Sequence, residues 1–138
     1  MDQLFSIANT SVLPCWLLLV LAPRWRYTHW ICALAMPIGL GLLYSWLLSA
    51  GLGEGGFGSL AEVMKLFSQP RAVFAGWVHY LAFDLFIGAW ETRDAMRLGI
   101  PRWALVPCQI FTFMFGPIGL LLYLLLRGFS KQQWEPGV

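Results

Sequence analysis

Charge is scarce in this chain. Only 12% of its residues are Asp, Glu, Lys or Arg, and 59% are hydrophobic. Soluble domains carry about 25% charged and roughly 45–50% apolar residues. A chain of 138 residues makes one domain, with too little interior to hide that much apolar surface from water. An ordinary soluble globule is therefore excluded, and lipid is the expected solvent. The formal net charge is only +2, with no Lys/Arg stripe, so no nucleic acid is implied as a partner. Cysteine is limited to Cys15, Cys32 and Cys108, each inside an apolar run and without paired spacing, as expected of small buried hydrophobes. The two histidines stand in no HxxH or ExxH pattern, so no metal site is assigned. A P-loop lysine and a GxSxG elbow are both missing, and no cofactor is implied.

What the chain does have is long uncharged runs. Residues 3–23, 27–53 and 103–126 contain no Asp, Glu, Lys or Arg, and residues 72–90 contain only Asp84. A membrane-spanning helix needs about 20 mostly apolar residues. The runs predict an all-α, polytopic membrane protein: a single transmembrane domain over 1–138, with four helices in a bundle at 4–22, 30–50, 72–95 and 104–126. The first run follows Asp2 rather than Lys or Arg and has no cleavage site before Pro23, so it is expected to be a permanent span.

The connectors have their own signals. Pro23–Tyr27 is short, basic and aromatic, as suits a membrane interface. Residues 51–58 hold five glycines in eight positions and predict a flexible loop. Ser59 with Glu62 forms a capping-box pattern, and Leu60, Val63, Met64 and Phe67 recur at helical spacing. A short amphipathic helix is expected there, between spans 2 and 3, lying on the membrane surface or packed on its neighbours. Gly99 followed by Pro101 ends the third span, and Pro117 is expected to kink the fourth. For four spans, Arg24, Arg26, Arg93, Arg97 and Arg102 lie on one side against Lys65, Arg71, Arg127 and Lys131 on the other. That balance is too even to fix an orientation.

Asp84 is the residue that needs explaining. An ionised carboxylate at the centre of a lone span costs about 2.5–3.5 kcal/mol. Asp84 should therefore face protein or a wet cavity, or carry its proton. On an ideal helix Tyr80, Asp84 and Glu91 share a sector of about 40°, while His79 points about 140° from Asp84. Gln109, Thr112, Gly116, Gly119, Tyr123 and Arg127 form a second polar stripe on the fourth span. Facing each other, the two stripes would enclose a polar seam walled by Phe83, Trp90, Phe111 and Phe115. Helix-to-helix hydrogen bonds would explain Gln109 and Thr112 equally well. Asp94 and Arg97, three residues apart, are expected to form an ion pair.

The run WVHYLAFDLF at 77–86, with MKLFS at 64–68, LPCWLLLVLAP at 13–23 and FGPIGLL at 115–121, resembles the abscisic-acid-deficient-four-like family of small membrane proteins. The resemblance implies four spans. It also implies a part in making the allenic carotenoid neoxanthin from an epoxide. Its motif falls on Trp77, His79, Asp84 and, more weakly, Asp94, whereas Glu91 stands where the plant-like pattern has an apolar residue. Allene formation from an epoxide is an isomerisation, needing an acid at oxygen and a base at carbon without a redox cofactor. The resemblance thus adds to Asp84 and His79 as catalytic candidates and to Trp77 as a substrate contact, while helix geometry alone nominates Glu91 as a third catalytic residue and Tyr80, Gln109, Thr112 and Tyr123 as further substrate contacts. A polyene or other isoprenoid would enter from the lipid between spans 3 and 4. The alternatives are a non-catalytic carotenoid-binding or assembly subunit, or a small proton pathway, which the Leu120–Leu126 run opposes. Expected partners are membrane lipids, the isoprenoid ligand, and a second copy or a partner membrane protein. The chain starts directly at its first span, without a Ser- and Arg-rich leader, which predicts a bacterial inner membrane.

Overall fold

The computed structural model describes residues 1–130, so Lys131 lies outside the described residues. All regular structure among them is helical: α1 (Asp2–Leu21), α2 (Thr28–Ser49), α3 (Leu60–Leu66), α4 (Pro70–Leu98), α5 (Arg102–Phe115) and α6 (Pro117–Phe129). α1, α2 and α4 are long and apolar enough to cross a membrane. α2 contains a π-helical turn at Ile31–Ala35, where the Met36 N–H donates back to the Ile31 carbonyl. The wider turn comes immediately before Pro37, whose missing N–H and ring an ordinary helical turn would not accommodate. At the first residue of α2, Thr28 is buried and its hydroxyl donates to the Ala22 carbonyl at 2.7 Å, closing the tight link from α1.

The start of α3 is capped by Ser59 as the sequence predicts, with the return bond from Glu62 falling one residue earlier, on Gly58. Ser59 Oγ accepts from the Glu62 N–H at 3.2 Å, and the Glu62 carboxylate accepts from the Gly58 N–H at 3.1 Å. Leu66 is buried, while Leu60 and Met64 face outward, so the short helix keeps an apolar outer side.

α4 is the axis of the fold. Its 29 residues give a length of about 43 Å, and it packs on α1, α2 and α5. The core joins Val12 and Leu19 of α1, Leu47 of α2, and Val78, Leu81 and Leu85 of α4. Trp16 lies so close to Gly88 that a Cβ there would overlap its ring. α4 ends as expected: Gly99 has φ +68° and the Ile100 N–H returns to the Ala95 carbonyl at 2.9 Å.

The predicted fourth span is not one helix. It breaks at Gly116, which adopts φ +45°, ψ −95°. Pro117 supplies no N–H and crowds its predecessor out of the helical region, and glycine tolerates the conformation that results. The chain then reverses. Gly119 packs on the backbone of Thr112, Leu126 joins the cluster that contains Leu105, and Arg127 returns to Asp94 near the end of α4. α5 and α6 are thus two arms of a hairpin. Its tip lies beside Asp84 at mid-α4, and both open ends lie near the C-terminal end of α4.

Candidate functional site

The polar stripes predicted on the third and fourth segments do face each other, because the hairpin lays α5 and α6 along α4. Glu91 is wholly buried and accepts from the Thr112 hydroxyl at 2.8 Å. Gln109 Nε2 donates to Thr92 Oγ1 at 2.7 Å, and Thr92 donates to the Gly88 carbonyl at 2.7 Å. Higher up, Asp94 accepts from Tyr123 Oη at 2.7 Å, from Arg127 Nε at 2.7 Å and from Arg97 at 2.9 Å. The expected Asp94–Arg97 pair is therefore one part of a larger cluster. Its buried members, Tyr123 and Arg127, come from α6 and could not be inferred from spacing on α4. The Glu91–Thr112, Thr92–Gln109, Asp94–Tyr123 and Asp94–Arg127 contacts join α4 to the hairpin, whereas Thr92–Gly88 and Asp94–Arg97 lie within α4.

Asp84 is different. It lies against the hairpin tip, where a Cβ on Gly116 would come within 2.8 Å of its Oδ1. Its Oδ2 is buried and has no hydrogen-bond partner among the described residues. Tyr80, one turn earlier, sits beside the same carboxyl, and its hydroxyl donates to the Phe113 carbonyl at 2.9 Å.

Tyr80 also lines a cavity of about 540 Å³, together with Tyr44, Phe67, Trp77 and His79. This cavity opens between α2, α3 and α4, and its walls are mostly apolar. Its volume suits a small ligand, for which about 300–1,000 Å³ is usual. His79 stacks on Phe83 with ring centroids 4.6 Å apart and approaches Tyr44 at 5.8 Å. Trp77 Nε1 donates to Asn9 Oδ1 at 3.1 Å, which ties α4 to α1.

Of the eight residues singled out from the sequence, Trp77, His79 and Tyr80 gather at this cavity and Asp84 sits next to Tyr80. Glu91, Gln109, Thr112 and Tyr123 gather in the seam instead and are absent from the cavity's lining. Tyr44 was missed, since one tyrosine in the apolar α2 run carries no signal of its own. The side of α4 where ligand entry was expected, toward the fourth apolar run, is occupied by packed helices. α5 and α6 fill that side of α4, and the large cavity lies on its α2 side.

A family model described as ABA DEFICIENT 4-like matches residues 3–123. The chain belongs to that family. It is similar to the Protein ABA DEFICIENT 4, chloroplastic, of Arabidopsis thaliana, at 25% identity over 97% of this chain. The chain spans about 64% of that curated relative's length. No solved structure matches the chain. The relative's name places it in the chloroplast, so the comparison lends nothing to a bacterial inner membrane. The ABA DEFICIENT 4-like match takes in the cavity residues, Asp84, and the hairpin as far as Tyr123.

Proposed function

We propose that this chain is a membrane-embedded protein that binds a carotenoid or related isoprenoid and isomerises it by proton transfer. One observation carries the reading: Tyr80 lines the apolar cavity and at the same time lies beside the Asp84 carboxyl, whose Oδ2 is buried without a partner among the described residues. A polyene lodged among Tyr44, Phe67 and Trp77 would place its end group near two polar side chains on successive residues, His79 and Tyr80.

For an epoxide substrate the steps balance without an oxidant or reductant. His79 accepts a proton from carbon, and that C–H electron pair becomes the new C=C bond. The epoxide C–O bond breaks, and its oxygen takes a proton from Asp84 through Tyr80. Proton return from His79 to Asp84 resets the site. Trp77 and Tyr44 hold the ligand, and Glu91 keeps the hairpin in register.

The setting proposed for this chemistry is a bilayer crossed by α1, α2 and α4, with α5–α6 as a re-entrant hairpin in place of a fourth crossing. Gly116, where the helix breaks, is buried against Asp84 of α4, and burial in protein is the condition under which a break at membrane depth is tolerated.

The test is turnover of an epoxy-carotenoid by the purified full chain in lipid nanodiscs, read as a product of unchanged mass and shifted absorbance. Asp84→Asn is expected to bind pigment and lose turnover by at least about a hundredfold, the usual scale of general acid catalysis. Undiminished turnover by that variant would sink the proposal. A second reading, a carotenoid-binding or assembly subunit without chemistry, draws support from the seam, where Glu91 and Asp94 act only as fastenings. Copurified pigment with no product from the purified chain would favour it.

A further inference from the structure

The cavity of about 540 Å³ is roofed by a separate small body, residues 51–69, made of the glycine-rich loop and α3. The body is tied to itself. Lys65 Nζ pairs with Glu54 at 2.7 Å, the Gly56 N–H donates to the Glu62 carbonyl at 3.3 Å, and the Gly58 N–H donates to the Glu62 carboxylate. Gly55, at φ +121°, packs so closely on the Leu66 backbone that no Cβ would fit. The two ends of the body meet, because Gly53 rests on the Gln69 side chain. Gly51 and Gly53 adopt φ +79° and +86°, and Gln69 is extended before Pro70. A compact loop with adjoining ends, jointed at a few terminal residues, is the geometry in which a segment swings as a unit.

Its fastenings to the bundle are slight. α4 packs broadly on α1, α2 and α5, and α3 packs on no helix to a like extent. The Phe67 ring sits on Gly76 of α4, where a Cβ would come within 2.8 Å of it. Leu52, Leu66 and Phe67 line the cavity from the roof. Ala72, Ala75, Gly76 and His79 line it from α4 at helical spacing, so the floor beneath the roof is made largely of small residues. On the outer side Leu60 and Met64 are 77% and 66% exposed. In the membrane setting proposed above, that apolar outer side lies in the lipid interface. A gap under the roof then faces lipid.

We propose that residues 51–69 are a hinged lid that opens the cavity to the bilayer when Phe67 lifts from Gly76, the path by which an isoprenoid enters and leaves. The lid rests on the ligand-binding part of the reading above and needs none of its chemistry. Slight packing on the bundle makes opening accessible, and the seat of Phe67 on Gly76 sets how often it occurs.

Retinol, a small fluorescent polyene, tests the lid with the full chain in lipid nanodiscs, its entry and release followed by energy transfer from tryptophan. Phe67→Ala removes the ring and Gly76→Ala pushes it off its seat. Each should raise both rates about tenfold, the scale of one partly buried aromatic ring. A wall residue with no gating part would raise release alone, so an unchanged entry rate in both variants overturns the lid. Phe67→Cys with Gly76→Cys, bridged by a short bifunctional thiol reagent after loading, should hold retinol at least about tenfold longer than the unbridged pair. Equal release from the two overturns the lid as well. A second readout needs no ligand. Ala75 is buried beneath the lid, and labelling of Ala75→Cys by N-ethylmaleimide should quicken about tenfold when Phe67→Ala is added. Labelling that does not respond overturns the lid whatever retinol does. Labelling that responds in a chain that takes up no retinol upholds the lid and overturns the ligand assigned to the cavity.

Discussion

At the residue scale, Gly116 and Asp84 define each other. Gly116 holds a positive φ, and any side chain there would run into the Asp84 carboxyl. Gly116→Ala is expected to lose about 1–3 kcal/mol, the usual cost of a strained backbone residue, and to push Asp84 off its position beside Tyr80. Gly39→Ala is the matched control: it lies within α2, has open space around its Cβ, and should be neutral or slightly stabilising. Thermal unfolding of both variants in detergent checks the pair. The divergence of His79 and Asp84 was legible beforehand, because α4 is unbroken through both and an ideal helix points them about 140° apart. The neighbour that each would meet was not legible. Helical periodicity fixes directions on one element, whereas Tyr44 and Gly116 arrive from elements whose placement depends on tertiary contacts.

At the scale of elements, the hairpin is held shut by a buried charge cluster. The side chains of Asp94 and Arg127 are 3% and 4% exposed, and Tyr123 closes the cluster. Removing one partner of such a pair leaves the other charged and enclosed, at a cost of about 3–5 kcal/mol. Arg127→Met is therefore expected to destabilise strongly and to loosen α6 from α4. Adding Asp94→Leu to it should recover part of that loss, since no enclosed carboxylate is then left behind. Tyr123→Phe keeps the ring against Trp90 and loses one hydrogen bond to a charged group, worth about 1.5–3 kcal/mol. A double-mutant cycle on Asp94 and Arg127, followed by denaturant unfolding, separates the coupling from the single costs. An additive double mutant would show that the pair does not latch the hairpin. The hairpin was hidden in the sequence for a physical reason. A run of apolar residues has the same hydropathy whether it crosses once or enters and returns. Only the Gly–Pro step at 116–117 marks a break, and it does not say which way the second arm turns. The 14 residues of α5 give about 21 Å, too short alone for a hydrocarbon core of about 30 Å.

For the whole molecule, the three crossings and hairpin proposed above would replace a charge balance that four crossings leave nearly even with a clear bias. With three crossings, Arg127 moves to the end that already holds Arg24, Arg26, Arg93, Arg97 and Arg102, while Lys65 and Arg71 remain at the other. Arginine and lysine collect on the cytoplasmic side, so the α4 C-terminal end is expected to face the cytoplasm of a bacterial expression host and the α3 loop to face outward. Ser68→Cys at the α3 end and Ser130→Cys after α6 discriminate between the arrangements. Four crossings place both positions on one side; three crossings and a hairpin place them on opposite sides. The native thiols of Cys15, Cys32 and Cys108 are buried and free of disulfides, so they should give little background. A membrane-impermeant maleimide added to intact spheroplasts is expected to label Ser68→Cys at once and Ser130→Cys only after permeabilisation. Labelling of both from outside would restore the four-span bundle. It would also remove the hairpin tip from beside Asp84, and with it the geometric basis for a proton donor at that depth.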